Sequence, residues 1–282
     1  MCELFGVSAT QPVAVNDLLK EFFSHSVEHP NGWGMAFFHG NAVSLEKEPT
    51  PAFRSGYLKR RLRHPFEADA MIAHIRLATV GSEDYENCHP FVRRDRTDCA
   101  WTLAHNGTMF DCPRLSPYQY VQEGRTDSER VLYYIVDEMD KATARRQETD
   151  GPGESRDGVC DTIRDDRKES SAVHLPVSER FDILDRILCE ITPHNKVNLL
   201  IYDGEILYAH TNYDKSLFLR ETEEGTLIAT TPLGRRGWEE LPFTTLCAFK
   251  DGRLVRQGTN HGNEYFDNEH DTHLMYLDAA AL

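Results

Sequence analysis

The sequence of 282 residues is 40% hydrophobic and 27% charged, so it can bury a substantial core within one large domain. Its 46 acidic and 31 basic residues give a formal net charge of -15, which disfavours nucleic acid and anionic membranes as partners. No apolar run is long enough to cross a bilayer, and no basic start precedes an apolar stretch, so we expect a cytoplasmic protein.

The first half of the chain predicts strands interrupted by short helices. Leu4, Phe5 and Val7 predict a buried strand, and apolar residues at helical spacing predict a helix over 16–23. A glycine-asparagine pair at 40–41 predicts a hairpin turn. The same periodicities predict the remaining elements, which are strands over 33–38, 42–46, 69–75 and 101–104 and a helix over 57–64.

The second half predicts two longer helices and a further run of strands. Asp127 begins the clearest helix, and a polar stretch over 145–171 without apolar periodicity predicts an exposed insertion. We expect the last residues, 259–282, to be loosely ordered. A second helix over 178–191 precedes predicted strands over 197–202, 205–210, 216–220, 226–230, 243–250 and 253–256. Strands, then helices, then strands predict an α+β domain with antiparallel sheets.

The sequence contains no motif typical of a cofactor or metal site. Glycine motifs that bind dinucleotides or phosphates are absent, so we expect no cofactor. The seven cysteines are an odd number without C-x-x-C spacing, which favours reduced thiols over disulfides or a zinc site. His261, His270 and His273 stand among acidic residues at no regular ligand spacing, so we expect a solvated tail and no bound metal.

Cys2 is the one cysteine whose position suggests chemistry. It follows the initiator methionine and has a small side chain, so we expect methionine removal to leave it with both a thiol and a free α-amino group. Such an amine titrates near pH ~8 and can accept the proton of the thiol. The structural alternative is that Cys2 is simply a small residue tolerated at a frayed chain end.

Five short segments accompany Cys2, at the ends of predicted elements: N-G-W-G at 31–34, H-I-R-L-A-T-V-G at 74–81, N-C-H-P-F at 87–91, H-N-G at 105–107 and T-D-S at 126–128. In this order behind Cys2 they resemble the class II glutamine amidotransferases, which are N-terminal-nucleophile hydrolases. The opening M-C-E-L-F-G-V-S and A-T-T-P-L at 229–233 are most similar to the stand-alone bacterial branch, which lacks a fused synthase domain.

The resemblance implies a fold and a division of the chain. It covers residues 2 to about 135 densely and 197–250 more thinly. It implies the four-layer αββα sandwich of antiparallel sheets of the Ntn-hydrolase fold. We accordingly expect an amidotransferase domain over 2–257, with the insertion near 145–171, and a C-terminal tail over 258–282.

The resemblance also implies the roles of individual residues. Cys2 would form a thioester with the side-chain carbonyl of glutamine, and Asn106 and Gly107 would form the oxyanion hole. Arg76 has the planar donor fork that suits a carboxylate, and Thr79 would add a hydroxyl donor. The remaining substrate-binding residues would be Asp127, which would pair with the α-ammonium group, and Trp33 and Gly34. We expect Trp33 to pack near the nucleophile or in the core, and Gly34 to permit close approach of the backbone.

Each residue also has a structural interpretation. Arg76 could form a surface ion pair, Asp127 could cap its helix, and Asn106 and Gly107 could form a turn. The histidines at 74, 89 and 105 are expected to make structural hydrogen bonds.

Three functions are compatible with the sequence. Synthase members of the family carry histidine where this chain has Val80, so another γ-glutamyl amide is an alternative substrate to glutamine. The chain could also supply ammonia to a synthase partner protein. The first hypothesis is an amidohydrolase that releases ammonia from glutamine.

Overall fold

The computed structural model describes residues 2–78, 82–149, 174–234, 236–269 and 271, and its centre is a pair of antiparallel sheets packed face to face. The first sheet has the order β11-β9-β10-β1-β4-β2-β3 and the second has the order β13-β12-β8-β7-β6-β5. The strands of the first sheet are β1 (Glu3–Ala14), β2 (Trp33–His39), β3 (Ala42–Glu48), β4 (Glu67–Ile75), β9 (Phe218–Glu221), β10 (Gly225–Ala229) and β11 (Glu239–Glu240). Those of the second are β5 (Phe91–Arg94), β6 (Ala100–Thr108), β7 (Lys196–Tyr202), β8 (Leu207–His210), β12 (Cys247–Lys250) and β13 (Arg253–Gln257).

Helices cover the outer face of each sheet. The helices α1 (Asn16–Ser24) and α2 (Gly56–Arg61) belong to the first sheet, and α3 (Asp127–Thr149) and α4 (Val177–Ile191) belong to the second. In α1 the buried residues Leu19, Phe22 and Phe23 recur at helical spacing and contact the sheet. Burying each such side chain contributes ~1.5–3 kcal/mol, which offsets the entropy lost on ordering the helix. The predicted four-layer αββα arrangement is confirmed.

The core between the sheets positions the candidate site. Leu4 of β1 and Ala104 of β6 both belong to the apolar cluster between the two sheets, whereas Phe5 belongs to the cluster under α1. Because side chains alternate between the faces of a strand, Cys2 and Asn106 continue the inward-facing rows of Leu4 and Ala104. The nucleophile candidate and the oxyanion candidate therefore extend toward the same space between the sheets.

Two local predictions differ from the structure. The strand predicted over 101–104 continues to Thr108, because Asn106 pairs with Asn198 and Gly107 with Val197 of β7. The beginning of the tail, which was expected to be loosely ordered, packs against the domain. Tyr265 is 5% exposed, and its N–H donates to the Asn212 carbonyl at 2.8 Å.

Most of the predicted insertion, from 150 onward, and about half of the tail lie outside the described residues. The helix α3 extends to Thr149, so the start of the insertion predicted over 145–171 is helical. The boundary at 257 between domain and tail stays a prediction. None of the helices in the described part of the chain is long and apolar enough to cross a membrane.

Candidate active site

Cys2 lies at the start of β1, where its sulfur contacts the backbone of Leu77. The thiol donates to the Leu77 carbonyl at 3.3 Å, and the Leu77 N–H points to the sulfur at 3.3 Å. Burial raises the pKa of Cys2, whereas the Leu77 backbone and the Arg76 guanidinium act to lower it. Asp127 acts in the opposite direction and raises this pKa. The contact with Leu77 places the Cys2 sulfur beside the stretch of backbone that carries Arg76, seventy-four residues later in the sequence.

Arg76 connects two of the predicted motifs. Its backbone N–H donates to the Gly32 carbonyl at 2.9 Å, and its carbonyl accepts from the Asn31 N–H at 3.0 Å. Its side chain is buried, at 2% exposure, and donates through Nη1 to the Ser82 carbonyl at 2.8 Å. Burial lowers the local dielectric, so a carboxylate bound to this guanidinium would be held more strongly than at the surface.

Asp127 is the first residue of α3, and backbone groups surround its carboxylate. It accepts from Met109 N at 2.6 Å and from Ser128 N at 2.8 Å. The cap of the helix is Thr126, whose hydroxyl accepts from the Glu129 N–H at 3.2 Å. Asp127 is therefore not the helix cap, and the helix N-terminus stabilises its negative charge.

Asn106 and Gly107 lie within β6. Asn106 is buried, and its side-chain oxygen has no hydrogen-bond partner among the described residues. A Cβ at Gly107 would lie 1.9 Å from the Lys196 carbonyl oxygen and 2.4 Å from Nε2 of His105. Glycine is required at 107 because neighbouring atoms already fill the space of a side chain.

The orientation of the Gly107 N–H follows from its neighbours. Val197, which lies opposite Gly107, donates its N–H to Oδ1 of Asn212 at 2.8 Å and accepts from His210 at 2.9 Å, both away from β6. Gly107 and Val197 are therefore a pair without mutual hydrogen bonds. Because peptide groups alternate sides along a strand, the Gly107 N–H is directed away from β7, toward the open edge of β6.

The structure places Trp33 and Gly34 in supporting positions. The indole of Trp33 is 0% exposed, lies 5.6 Å from the ring of Phe23 and donates to Glu48 at 3.2 Å. The side chain therefore belongs to the core under α1, which is one of the two locations expected for it from the sequence. A Cβ at Gly34 would lie 2.1 Å from the His89 carbonyl oxygen, so this glycine allows the two backbones to pack closely. Thr79 and Val80 lie outside the described residues.

Three buried histidines join the two sheets behind the site. His74 donates through Nε2 to the His105 carbonyl at 3.2 Å, and the His105 N–H donates to Nδ1 of His89 at 3.1 Å. Burial lowers the pKa of His74 to about 3 and lowers those of His89 and His105, so all three rings are neutral at pH 7. Within the described residues, no group of three or more His, Cys, Asp or Glu side chains could hold a metal ion.

Sequence reasoning missed two contributions to the site. Leu77 contacts the sulfur of Cys2 through its backbone, and a backbone contact leaves no signal in residue type. Thr230 holds the start of β1, because its hydroxyl accepts from Leu4 N at 3.1 Å and its N–H donates to the Leu4 carbonyl at 3.1 Å. The A-T-T-P-L stretch contained this threonine but gave no indication of its role.

The chain is similar to known proteins in both sequence and structure. A family model described as "Glutamine amidotransferases class-II" matches residues 1–164. An uncharacterised protein of Methanocaldococcus jannaschii is 31% identical, over 90% of this chain and 71% of its own length. A structure described as a predicted glutamine amidotransferase from Pseudomonas aeruginosa has a TM-score of 0.59 at 22% identity and covers 90% of this chain and 100% of its own. Glutamine phosphoribosylpyrophosphate amidotransferase from Bacillus subtilis has a TM-score of 0.57 at 16% identity, over 92% of this chain and 49% of its own.

Proposed function

Because this chain belongs to the class II glutamine amidotransferases, we propose that it is an amidohydrolase that attacks the side-chain amide of glutamine with Cys2 and releases ammonia. The single observation that carries this proposal is the contact of the Cys2 sulfur with the backbone of Leu77, the residue directly after the buried Arg76. The buried Asp127 supports it, because its carboxylate accepts from the N–H of Met109, two residues beyond Gly107. A thiol beside a buried cation and a buried anion is suited to a substrate that carries an amide at one end and an amino-acid group at the other.

The reaction begins with transfer of the Cys2 thiol proton to the amine that methionine removal exposes. The sulfur attacks the amide carbon of the substrate, and the carbonyl oxygen becomes an oxyanion bound by the Asn106 side-chain N–H and the Gly107 N–H. The amine then protonates the leaving nitrogen, ammonia departs, and a thioester remains. Water activated by the same amine cleaves the thioester, which yields glutamate and restores the thiol. Loss of one oxyanion donor typically costs ~3 kcal/mol of barrier.

The other end of the substrate is recognised by charge. The Arg76 guanidinium binds the α-carboxylate through its two parallel donors, and the Thr79 hydroxyl adds a third. The Asp127 carboxylate binds the α-ammonium group. Both Arg76 and Asp127 are buried, at 2% and 5% exposure, which supports this pairing because water competes weakly with the substrate there.

Intact mass spectrometry combined with a glutaminase assay tests the proposal. We expect the purified protein to lack Met1, to gain one adduct from 6-diazo-5-oxo-L-norleucine and to convert glutamine to glutamate. Cys2→Ala should lose both properties, whereas Cys189→Ala, which removes another half-buried thiol, should keep them. Wild-type turnover by the Cys2→Ala protein would contradict the assigned nucleophile.

The same assay decides between the substrate alternatives. Faster release of a larger amine from its γ-glutamyl amide than of ammonia from glutamine would assign the chain to γ-glutamyl amide hydrolysis. Turnover that appears only in the presence of a partner protein would indicate an ammonia-supplying subunit. Brisk turnover by the pure protein would contradict that third role.

A further inference from the structure

Along one edge of β6, pairing with the neighbouring strand β5 stops just before the candidate oxyanion hole. The strand β5 pairs with β6 only from Arg94 opposite Ala100 to Phe91 opposite Leu103. Beyond Leu103, within the described residues, no strand continues along this edge. Two side chains take the place of that strand, because His89 accepts the N–H of His105 at 3.1 Å and His74 donates to its carbonyl at 3.2 Å.

The next residue whose peptide groups face this edge is Gly107. Peptide groups of residues two apart on a strand point to the same side, so the Gly107 N–H follows the His105 N–H along the edge. The paired edge of β6 thus ends with the two histidines, and the Gly107 N–H is the next donor after them. An oxyanion hole needs a backbone donor that is not used in sheet pairing, and the Gly107 N–H lies beyond the part of this edge that pairs with β5.

The side chain of His74 connects its own strand, β4, to β6. The residue lies opposite both Leu4 of β1 and Gly34 of β2, so it belongs to the sheet that carries Cys2. Its ring stacks on that of His89 with centroids 4.2 Å apart. Among the described residues, the only hydrogen bond of the His74 side chain goes to His105, since Nδ1 has no partner there. This hydrogen bond therefore joins the first sheet, which carries Cys2, to β6, which carries Asn106 and Gly107.

We propose that His74 and His89 are positioning residues for the oxyanion hole: they hold the peptide groups of His105 in place of a neighbouring strand and so set the direction of the Gly107 N–H. This inference rests on the proposed function, because it assumes that Gly107 binds an oxyanion. Burial keeps both rings neutral, as their lowered pKa values indicate, so His89 Nδ1 stays an acceptor at pH 7.

Substitutions that retain or remove the hydrogen-bonding nitrogen of each histidine test the proposal. Glutamine at 74 can retain a donor near the Nε2 position, and asparagine at 89 can retain an acceptor near the Nδ1 position, whereas phenylalanine keeps the ring and removes both nitrogens. We expect H74F and H89F to lower kcat by about 10–100-fold with little change in KM, as for other supporting residues around a site. H74Q and H89N should recover most of that loss. His39→Phe alters an exposed histidine of β2 and should behave as wild type.

Two further measurements separate positioning from simple structural damage. Alkylation of Cys2 by iodoacetamide needs no oxyanion hole, so its rate in H74F should match that of the wild type while kcat falls. Crystal structures of H74F and H74Q should show the Asn106–Gly107 segment displaced in the former and unmoved in the latter. Equal kcat in H74F and wild type, or an unmoved segment in H74F, would overturn the proposal. A wild-type protein without turnover would refute the proposed function instead, and the crystal structures would still decide the positioning role.

Discussion

The sulfur of Cys2 lies 3.3 Å from both the backbone nitrogen and the carbonyl oxygen of Leu77. Because Leu77 directly follows Arg76, a single stretch of backbone holds the candidate nucleophile beside the candidate carboxylate clamp. In the proposed function, this stretch of backbone sets the separation between the attacked amide and the bound α-carboxylate. Changes to any of these residues should be visible as separate effects on binding, chemistry and stability.

Arg76→Lys tests the clamp. Lysine keeps the positive charge and loses the planar fork, so we expect kcat/KM for glutamine to fall by about 100-fold, mainly through a higher KM. Steady-state kinetics measures this change. Arg63→Lys alters an exposed arginine and serves as the matched control. A kcat/KM close to that of the wild type in Arg76→Lys would show that the α-carboxylate binds elsewhere.

Asp127→Asn tests the ammonium site. The amide removes the negative charge, so we expect kcat/KM for glutamine to fall by about 100-fold. Glutaric acid monoamide has no α-ammonium group, so wild type and variant should hydrolyse it equally slowly. If the variant lost activity equally toward both compounds, the carboxylate would be acting through its hydrogen bonds to the Met109 and Ser128 backbones rather than through the substrate.

Gly107→Ala should unfold more easily than the wild type. The new Cβ would lie 1.9 Å from the Lys196 carbonyl oxygen, so β6 and β7 must separate locally, and we expect a loss of about 2–4 kcal/mol in the free energy of unfolding. Urea unfolding measures it. In Gly56→Ala the nearest atom would be 3.5 Å away, so the control should be neutral or slightly stabilising. Comparable stability of the two variants would mean that the strands at 107 adjust without cost.

Trp33→Phe should affect stability and leave substrate binding alone. The indole is enclosed beside Phe23 and donates to Glu48, so the smaller ring leaves a cavity and removes one hydrogen bond to that carboxylate, which keeps the one from Ser55. We expect a loss of about 1–3 kcal/mol in the free energy of unfolding, with KM for glutamine unchanged. A raised KM in a stably folded variant would show that Trp33 contributes to substrate binding as well as to the core.

Acid should destabilise the fold through buried histidines. His210 donates through Nδ1 to the Val197 carbonyl, and its Nε2 lies 2.9 Å from that of His261. Burial lowers the pKa of His210 to about 3 and also lowers that of His261, whereas histidine in the unfolded chain titrates near ~6.5. Below that pH the unfolded chain binds protons that the folded protein excludes. The stabilisation is therefore complete above pH ~6.5 and is lost as the pH falls toward the folded pKa.

Urea unfolding at several pH values measures this dependence. His210→Asn keeps a donor for the Val197 carbonyl and removes the titrating ring, so its stability should fall less steeply between pH 6.5 and 4, by up to about 1.4 kcal/mol per pH unit. His39→Asn, at an exposed position, should retain the wild-type slope. Identical slopes in all three proteins would mean that His210 is not a source of the acid sensitivity.

Most secondary structure and the identity of the candidate site residues could be read from the sequence. Helical spacing identified α1 and α4 closely, because their apolar residues recur every three or four positions on one face. The order of short motifs behind Cys2 resembles that of the class II glutamine amidotransferases, and this resemblance singled out Arg76, Asn106, Gly107 and Asp127. Both signals lie in residue type and in order along the chain, so neither needs the tertiary structure.

Other features depended on partners far away in the sequence. The strand β6 continues through Asn106 and Gly107 because β7, about ninety residues later, pairs with it. Trp33 belongs to the core because alternation along β2 turns its side chain toward α1, and no property of tryptophan itself decides which face it occupies. The direction of the Gly107 N–H, toward the edge bounded by His74 and His89, was likewise decided by strand register and sheet packing, since hydrogen bonds between segments remote in sequence leave no pattern in either segment.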